Sequence, residues 1–318
     1  MSQKRILVTG ASGCVGHYLA EALIKETDHE LYLLVRNPKK LQIDTNFRSG
    51  INVLQGDMQN IRQFADLLST IDTAVLTATA WGGEQTFDIN VVKTIELMEL
   101  LDPERCQQVI YFSTASVLDR YNQPLKQAGE IGTDYIRSKY ECLQKKEKLA
   151  IAPKITTVFP TLVLGGDANK PYSPVTSGIT EVTKYIDLIR FLEADGSFHF
   201  IHARDIATVV RYLIDHPVKN DQPRWLVLGQ APLTANQAVK QVCAYLGKKI
   251  YFRIPISIAL ANLIIVLFRI RMAAWDRFCM NYRHFIYEKF INPDSFGLPN
   301  YCATMTDVLK ISGVKSVK

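Results

Sequence analysis

The sequence predicts an α/β fold, a doubly wound parallel sheet joined to a smaller, mostly helical C-terminal domain. Three observations predict it. Strand-like and helix-like segments alternate over the first 165 residues, and several of the strand segments are near-continuous apolar runs. The first run, Ile6-Leu7-Val8, passes directly into the string Thr9-Gly10-Ala11-Ser12-Gly13-Cys14-Val15-Gly16. Alternation of this kind builds βαβ units, and strands apolar on both sides are those covered by helices on both faces.

Strands are expected at Arg5–Thr9, Glu30–Val35, Asn52–Gln55, Thr73–Thr77, Gln108–Ser113 and Ile155–Phe159. Helical stretches lie between them at Gly13–Glu26, Ile61–Ser69, Phe87–Leu101 and Thr133–Ala150. Residues Gly165–Thr180 are rich in Gly, Pro and Ser and read as a loop leaving the core. A strand (Phe198–His202), a helix (Asp205–Asp215) and another strand (Trp225–Leu228) follow, and the remainder is mostly helical.

Composition bounds the function. The 318 residues are 47% hydrophobic and 21% charged, which suits a globular protein and not a disordered one. The net charge of +6 is too diluted for a nucleic-acid binder, although it clusters somewhat near the C-terminal apolar segment. The six cysteines (14, 106, 142, 243, 279 and 302) form no Cys-x-x-Cys pair and have no histidine at metal spacing. They read as free thiols in a reducing compartment, with no metal site. Met1–Arg5 leads straight into a strand, so no signal peptide is expected and the cytoplasm is the expected location.

A strand, a glycine turn and a helix together make an anion site, because a helix N-terminus presents unpaired N–H groups and a partial positive charge. Gly10 permits the tight turn, Gly13 lets backbone approach a pyrophosphate, and Gly16 lets helix and strand pack closely. The spacing is G-x-x-G-x-x-G, so the generic dinucleotide fingerprint is met only in part; a turn needed for packing alone is the competing reading. After the second strand the chain reads Val35-Arg36-Asn37-Pro38-Lys39-Lys40, with no carboxylate before Asp44. An acid there would hold the ribose 2′-hydroxyl of NAD, whereas Arg36 offers fork-like donors to a 2′-phosphate. NADP(H) is therefore favoured over NAD(H), against the alternative of a solvated basic turn.

Tyr135 and Lys139 stand at i and i+4 and share a helix face. A phenol titrates near pH 10, and a cationic lysine beside it favours the phenolate. Ser113 and Thr114 follow a strand at its C-terminal end, where ligands bind in open α/β sheets. Alone, a Tyr-x-x-x-Lys pair is a surface helix pair. Placed after the strand carrying Ser113-Thr114, it points to redox chemistry on a carbonyl or hydroxyl.

At these residues the chain resembles the extended branch of the short-chain dehydrogenases/reductases, whose nucleotide-binding half is a Rossmann fold. Thr9–Gly16 is similar to that branch's cofactor loop, and Gly56-Asp57 to the acidic turn that meets the adenine. Asn90-Val91-Val92-Lys93-Thr94 resembles its N-V-x-G-T helix, with Lys93 where glycine is usual. Phe112–Val117 resembles the segment with the catalytic hydroxyl, which falls on Thr114 with Ser113 second. Phe159–Gly165 is similar to the R-P-x-x-V-x-G strand end, and Ile201–Ala207 to I-H-V-x-D-x-A.

The resemblance implies that Tyr135 exchanges the proton with the substrate oxygen. Lys139 would hold the nicotinamide ribose and lower the tyrosine's pKa, and Thr114 would orient the oxygen. It implies cofactor contacts from Gly10, Ser12, Gly13, Cys14, Val15, Gly16, Arg36, Lys40, Asp57, Met58, Ala78, Thr79, Tyr135, Lys139 and Pro160. It also implies a Rossmann domain over 1–164 and 199–222, a substrate domain over 165–198 and 223–318, and dimerisation through Phe87–Leu101 and Thr133–Ala150.

Departures from the family's pattern narrow the reaction. Sugar 4,6-dehydratases carry an Asp-Glu pair after the catalytic threonine, and here Ala115-Ser116 stands there. Nucleotide-sugar enzymes usually place an arginine shortly before I-H-V, and Phe198 takes that position. An aromatic ring in place of a bidentate phosphate ligand argues for an apolar substrate. Residues 254–268 are uncharged and resemble the I-P-x-x-x-A helix of the 3β-hydroxysteroid dehydrogenase-like subgroup. They are too short for a transmembrane span, which needs about 20 residues. Arg253, Arg269, Arg271 and Arg277 flank the segment, with Trp275, Phe278, Tyr282, Phe285 and Tyr287 beyond. Two readings stand: a core helix over the substrate pocket, or peripheral membrane contact through 254–271. The expected activity is NADPH-dependent hydride transfer to or from a hydrophobic ketone or alcohol. The alternatives are a nucleotide-sugar epimerase and a non-catalytic NADP(H)-sensing regulator.

Overall fold

The structure, a computed structural model, describes residues 3–217 and 224–316. It is built on a seven-stranded sheet. Its strands are β1 (Arg5–Thr9), β2 (Glu30–Val35), β3 (Ile51–Gln55), β4 (Thr73–Leu76), β5 (Gln108–Phe112), β6 (Ile155–Pro160) and a last strand at Arg224–Leu228. In space the order is Arg224–Leu228, β6, β5, β4, β1, β2, β3, and every pairing is parallel. Val8 pairs with Leu33 on one side and Val75 on the other. The strand order reverses at β1 and β4, which opens a crevice at their C-terminal ends.

The apolar runs are explained by burial on both faces. Ile6, Val8, Leu31 and Leu33 point into one cluster, shared with helix α1 (Cys14–Glu26) and the helix Ala203–Asp215. Leu7, Tyr32 and Leu34 alternate into a second cluster with Ile89, Leu97, Met98 and Cys142. A strand that feeds two cores has no polar position to show.

Several boundaries differ from expectation. The strand Arg224–Leu228 pairs with β6 and completes the main sheet, although the sequence reading placed residues from 223 onward in the substrate domain. The loop expected over 165–180 ends early, because Pro174, with φ preset for a first turn, opens a helix at Pro174–Lys184. The helix expected at Phe87–Leu101 begins as a widened π turn, Asp88–Lys93, before the α-helix Thr94–Leu100. The one expected at Ile61–Ser69 is a 3-10 stretch, Met58–Phe64, and a single α turn, Ala65–Leu68.

The second region pairs short strands (Ser197–Phe198, Leu233–Thr234 and His284–Phe285) and adds helices at Ala235–Tyr245, Ile258–Leu267, Ala274–Tyr282 and Met305–Ile311. It is anchored to the sheet domain by buried polar groups. The Asp205 carboxylate accepts the backbone N–H of Tyr301 at 2.6 Å and of Cys302 at 3.1 Å. Of the two readings for residues 254–268, the core helix is not what the structure shows: none of the described side chains of Ile258–Leu267 is buried.

Candidate active site

The crevice is assembled from strand ends. β1 ends at Thr9, whose carbonyl accepts the Thr77 hydroxyl at 2.6 Å and whose own hydroxyl accepts Ala78 N–H at 3.2 Å. Gly10 then turns with φ +68, where a Cβ would sit 2.8 Å from Ala78 backbone. A Cβ on Gly16 would lie 2.2 Å from the Gly10 carbonyl oxygen. Gly13 caps α1 with no side-chain acceptor, so the first N–H groups of the helix face the crevice unpartnered by a cap. These are the features that a dinucleotide pyrophosphate requires of a strand–turn–helix, and the residues present fit one.

The basic turn after β2 is exposed. Asn37 caps a 3-10 turn at Pro38–Lys40 through Lys39 N–H at 3.0 Å, and Arg36 makes no hydrogen bond or ion pair among the described residues. His17 was not singled out in the sequence. It is fully buried on α1, its Nδ1 lies 3.1 Å from the Gly13 carbonyl, and its Nε2 accepts Gln42 N–H at 3.0 Å. That arrangement ties the glycine loop to the segment bearing Arg36 and Lys40. Asp57 caps the Met58–Phe64 stretch by accepting Gln59 N–H, and Met58 is buried behind it.

On the far side of the crevice, the helix Asp134–Lys145 carries Tyr135 and Lys139. Lys139 is buried; its Nζ donates to the Phe112 carbonyl at 2.9 Å and lies 5.1 Å from the Tyr111 ring centre. Burial pushes its pKa down to about 8. Burial raises the pKa of the Tyr135 phenol above the ordinary value, against the opposing influence of the nearby Thr114 hydroxyl. This differs from the expected lysine-lowered phenol. The lysine is committed to a backbone carbonyl, and both groups sit where charge is poorly solvated. Of the two candidate hydroxyls, Thr114 is the one that meets Tyr135, whereas Ser113 Oγ is buried and has no partner among the described residues.

Two further residues shape this corner: Trp81, which carried little sequence signal, and Asn90, the first residue of the N-V-x-G-T-like string. Trp81 stacks on the Tyr135 ring, centroids 4.4 Å apart and planes inclined by 24°. Asn90, fully buried in the π turn, satisfies its whole side chain. Its oxygen accepts Thr79 Oγ1 at 3.0 Å and Ala80 N–H at 2.8 Å, and its amide donates to Ala80 O at 2.8 Å and Ser138 Oγ at 3.0 Å. Ser138 in turn donates to the Tyr135 carbonyl at 2.8 Å. The strand-end loop holding Ala78, Thr79 and Trp81 is thereby fixed to the helix holding Tyr135. From the second region, Tyr287 donates its hydroxyl to the Ala115 carbonyl at 2.8 Å. Phe198 joins an apolar cluster with Leu164 and Phe200, and Pro160 closes β6.

The profile of the NAD dependent epimerase/dehydratase family matches residues 6–229. The chain belongs to that family. That family is part of the extended short-chain dehydrogenases/reductases. The isoflavone reductase homolog A622-like of Nicotiana tabacum is 31% identical over 101 residues, 30% of this chain and 31% of that protein. The chain thus matches about a third of the length of these curated relatives. The terminal R domain from the myxalamid PKS-NRPS biosynthetic pathway superposes with a TM-score of 0.66 at 18% identity, covering 100% of this chain and 87% of that one. UDP-glucose-4-epimerase from Stenotrophomonas maltophila, solved with NAD and formylated UDP-arabinopyranose, gives 0.64 at 17% identity, covering 98% and 97%. At those identities the likeness is one of fold.

Proposed function

We propose that this family member is a cytoplasmic, NADP(H)-dependent oxidoreductase that moves hydride between nicotinamide and the ketone or alcohol of a hydrophobic small molecule. The observation that carries this reading is the buried Lys139, held by the Phe112 carbonyl at the end of the strand that leads into Thr114 and sharing a helix face with Tyr135. Burial holds the phenol protonated, the state that delivers a proton to a ketone oxygen. Thr114 orients that oxygen. Lys139 spends one N–H on Phe112 and keeps the others for the nicotinamide ribose.

Gly10, Ser12, Gly13, Cys14, Val15 and Gly16 would cradle the pyrophosphate. Asp57 and Met58 would meet the adenine, Arg36 and Lys40 a 2′-phosphate, and Ala78, Thr79 and Pro160 the nicotinamide side. The bound nicotinamide supplies or accepts the hydride. Trp81 and Phe198 support an apolar substrate, as does Ala115-Ser116 in place of an acid pair. We also propose a homodimer through 87–101 and 133–150, a surface on which Val92 is half exposed.

The test is NADPH oxidation against hydrophobic ketones and UDP-sugars. Consumption with ketones supports the reading. Interconversion of UDP-sugars without net NADPH consumption establishes the epimerase instead, and tight NADPH binding with no turnover establishes the sensor.

A further inference from the structure

Nearly all of the net charge is gathered around one exposed apolar helix. Residues 248–277 hold six cations (Lys248, Lys249, Arg253, Arg269, Arg271 and Arg277) and one carboxylate, Asp276, which makes +5 of the chain's +6. Lys248 is paired with Asp187 at 2.9 Å. Arg269 and Arg271 are exposed and make no ion pair among the described residues.

The helix between these cations, Ile258–Leu267, is apolar on nearly every side, and none of its described side chains is buried. Leu260, Leu263, Val266 and Leu267 form an outward stripe at helical spacing, 38%, 61%, 74% and 71% exposed, which Phe268 and Ile270 continue at 69% and 50%. Its one amide side chain, Asn262, is turned toward the protein and accepts from Arg277 at 3.4 Å. No helix among the described residues is long and apolar enough to cross a membrane. Exposed apolar surface too short to cross a bilayer and flanked by cations suits shallow seating at a bilayer surface, and the cations select an anionic one.

We propose that this face docks into the headgroup region of an anionic lipid bilayer. The docked helix is tied to the next one by the Arg277 guanidinium, which donates to Asn262 at 3.4 Å. The next helix, Ala274–Tyr282, packs Trp275 and Phe278 in one cluster with Tyr135, Ala115 and Tyr287. Docking at Ile258–Leu267 therefore sets the apolar wall beside Tyr135 close to the lipid, so that a membrane-dissolved ketone reaches the phenol without crossing water. The docking rests on the exposed surface, and the delivery of substrate rests on the proposed function.

The experiment is co-sedimentation of the full chain with vesicles of phosphatidylcholine alone or with about 30% phosphatidylglycerol, at about 0.1 M and about 1 M salt, where the screening length falls from about 10 to about 3 Å. Expected is binding to the anionic vesicles at least tenfold stronger than to the neutral ones, weakened by salt. The double variants Leu263→Glu with Phe268→Glu, and Arg269→Ala with Arg271→Ala, should each lose at least tenfold while NADPH binding stays unchanged, which shows the fold intact. Absence of binding at either salt overturns the proposal. So does concentration-dependent dimerisation that the Leu263→Glu/Phe268→Glu variant abolishes, because a second copy would then cover the face. Ketone turnover without vesicle binding refutes the docking alone, and vesicle binding without turnover on any substrate refutes the enzymatic reading alone.

Discussion

Two apolar helices of this chain are used in opposite ways. α1 buries Gly16, His17, Tyr18, Leu19, Ala20, Leu23 and Ile24. Ile258–Leu267 has only one polar side chain, Asn262, and no described residue of it is buried. The difference is one of topology. The crossover from β1 to β2 lays α1 on the sheet, where the helix Ala203–Asp215 closes over it. Among the described residues, no strand or helix is delivered to the outward side of Ile258–Leu267. Apolar composition states a need for cover, and the connections of the fold decide whether the chain itself provides it.

The largest expected contrast follows directly. Leu19→Ala removes a fully buried side chain and should cost about 2–5 kcal/mol in urea unfolding. Leu263→Ala should stay within about 0.5 kcal/mol, because its side chain is already in solvent. Equal costs would mean that the late helix is covered in solution, and the comparison would fail.

A second contrast is electrostatic and belongs to the joint between the two regions. His202 caps the helix Ala203–Asp215 by accepting Arg204 N–H, and burial lowers its pKa from 6.5 to about 4. Between those pH values the unfolded histidine binds a proton that the folded one refuses, so stability is lost as pH falls. Asp205 opposes this: burial raises its pKa from 3.8 to about 6, so the folded state takes up a proton first and stability is gained as pH falls through that window. The variant His202→Asn keeps an oxygen acceptor for the cap and removes only the first effect. Relative to wild type it should gain about 3 kcal/mol between pH 6.5 and 4, read from urea unfolding at both pH values. Parallel pH profiles would show that His202 is not held neutral.

Two smaller effects probe the crevice. Arg36→Ala should weaken NADPH binding about ten- to a hundred-fold, the worth of a charged hydrogen bond of about 1.5–3 kcal/mol, and leave NADH binding unchanged. Equal losses for both cofactors would remove Arg36 from a 2′-phosphate site. Trp81→Ala deletes the ring stacked on Tyr135, an interaction of about 1 kcal/mol. It should raise the KM for a hydrophobic ketone about fivefold with NADPH affinity intact, and an unchanged KM would exclude Trp81 from the substrate wall.

The strands of the main sheet were legible because burial on both faces leaves only apolar residues, a pattern that Ile6-Leu7-Val8 and Ile110-Tyr111-Phe112 display outright. The glycine turn was legible because Gly10 and Gly16 occupy positions where a Cβ meets backbone. Tyr135 and Lys139 were legible as an i, i+4 pair after a strand. What escaped is made by the meeting of distant segments. The π turn around Asn90 has no period of its own, and the stack of Trp81 on Tyr135 joins residues 54 positions apart. His17 looked like one more residue of an apolar helix until Gln42 was brought against it. The strand Arg224–Leu228 was seen as a strand, but its place in the main sheet depended on pairing with β6.

The variant Tyr135→Phe tests whether Tyr135 is the proton donor of a hydride-transfer site. Turnover of NADPH with a hydrophobic ketone and the affinity for NADPH are measured on the same preparation. Expected is a fall in kcat of about a thousandfold, within the range that a positioned acid contributes, with NADPH affinity unchanged. Full turnover by the phenylalanine variant would contradict that role.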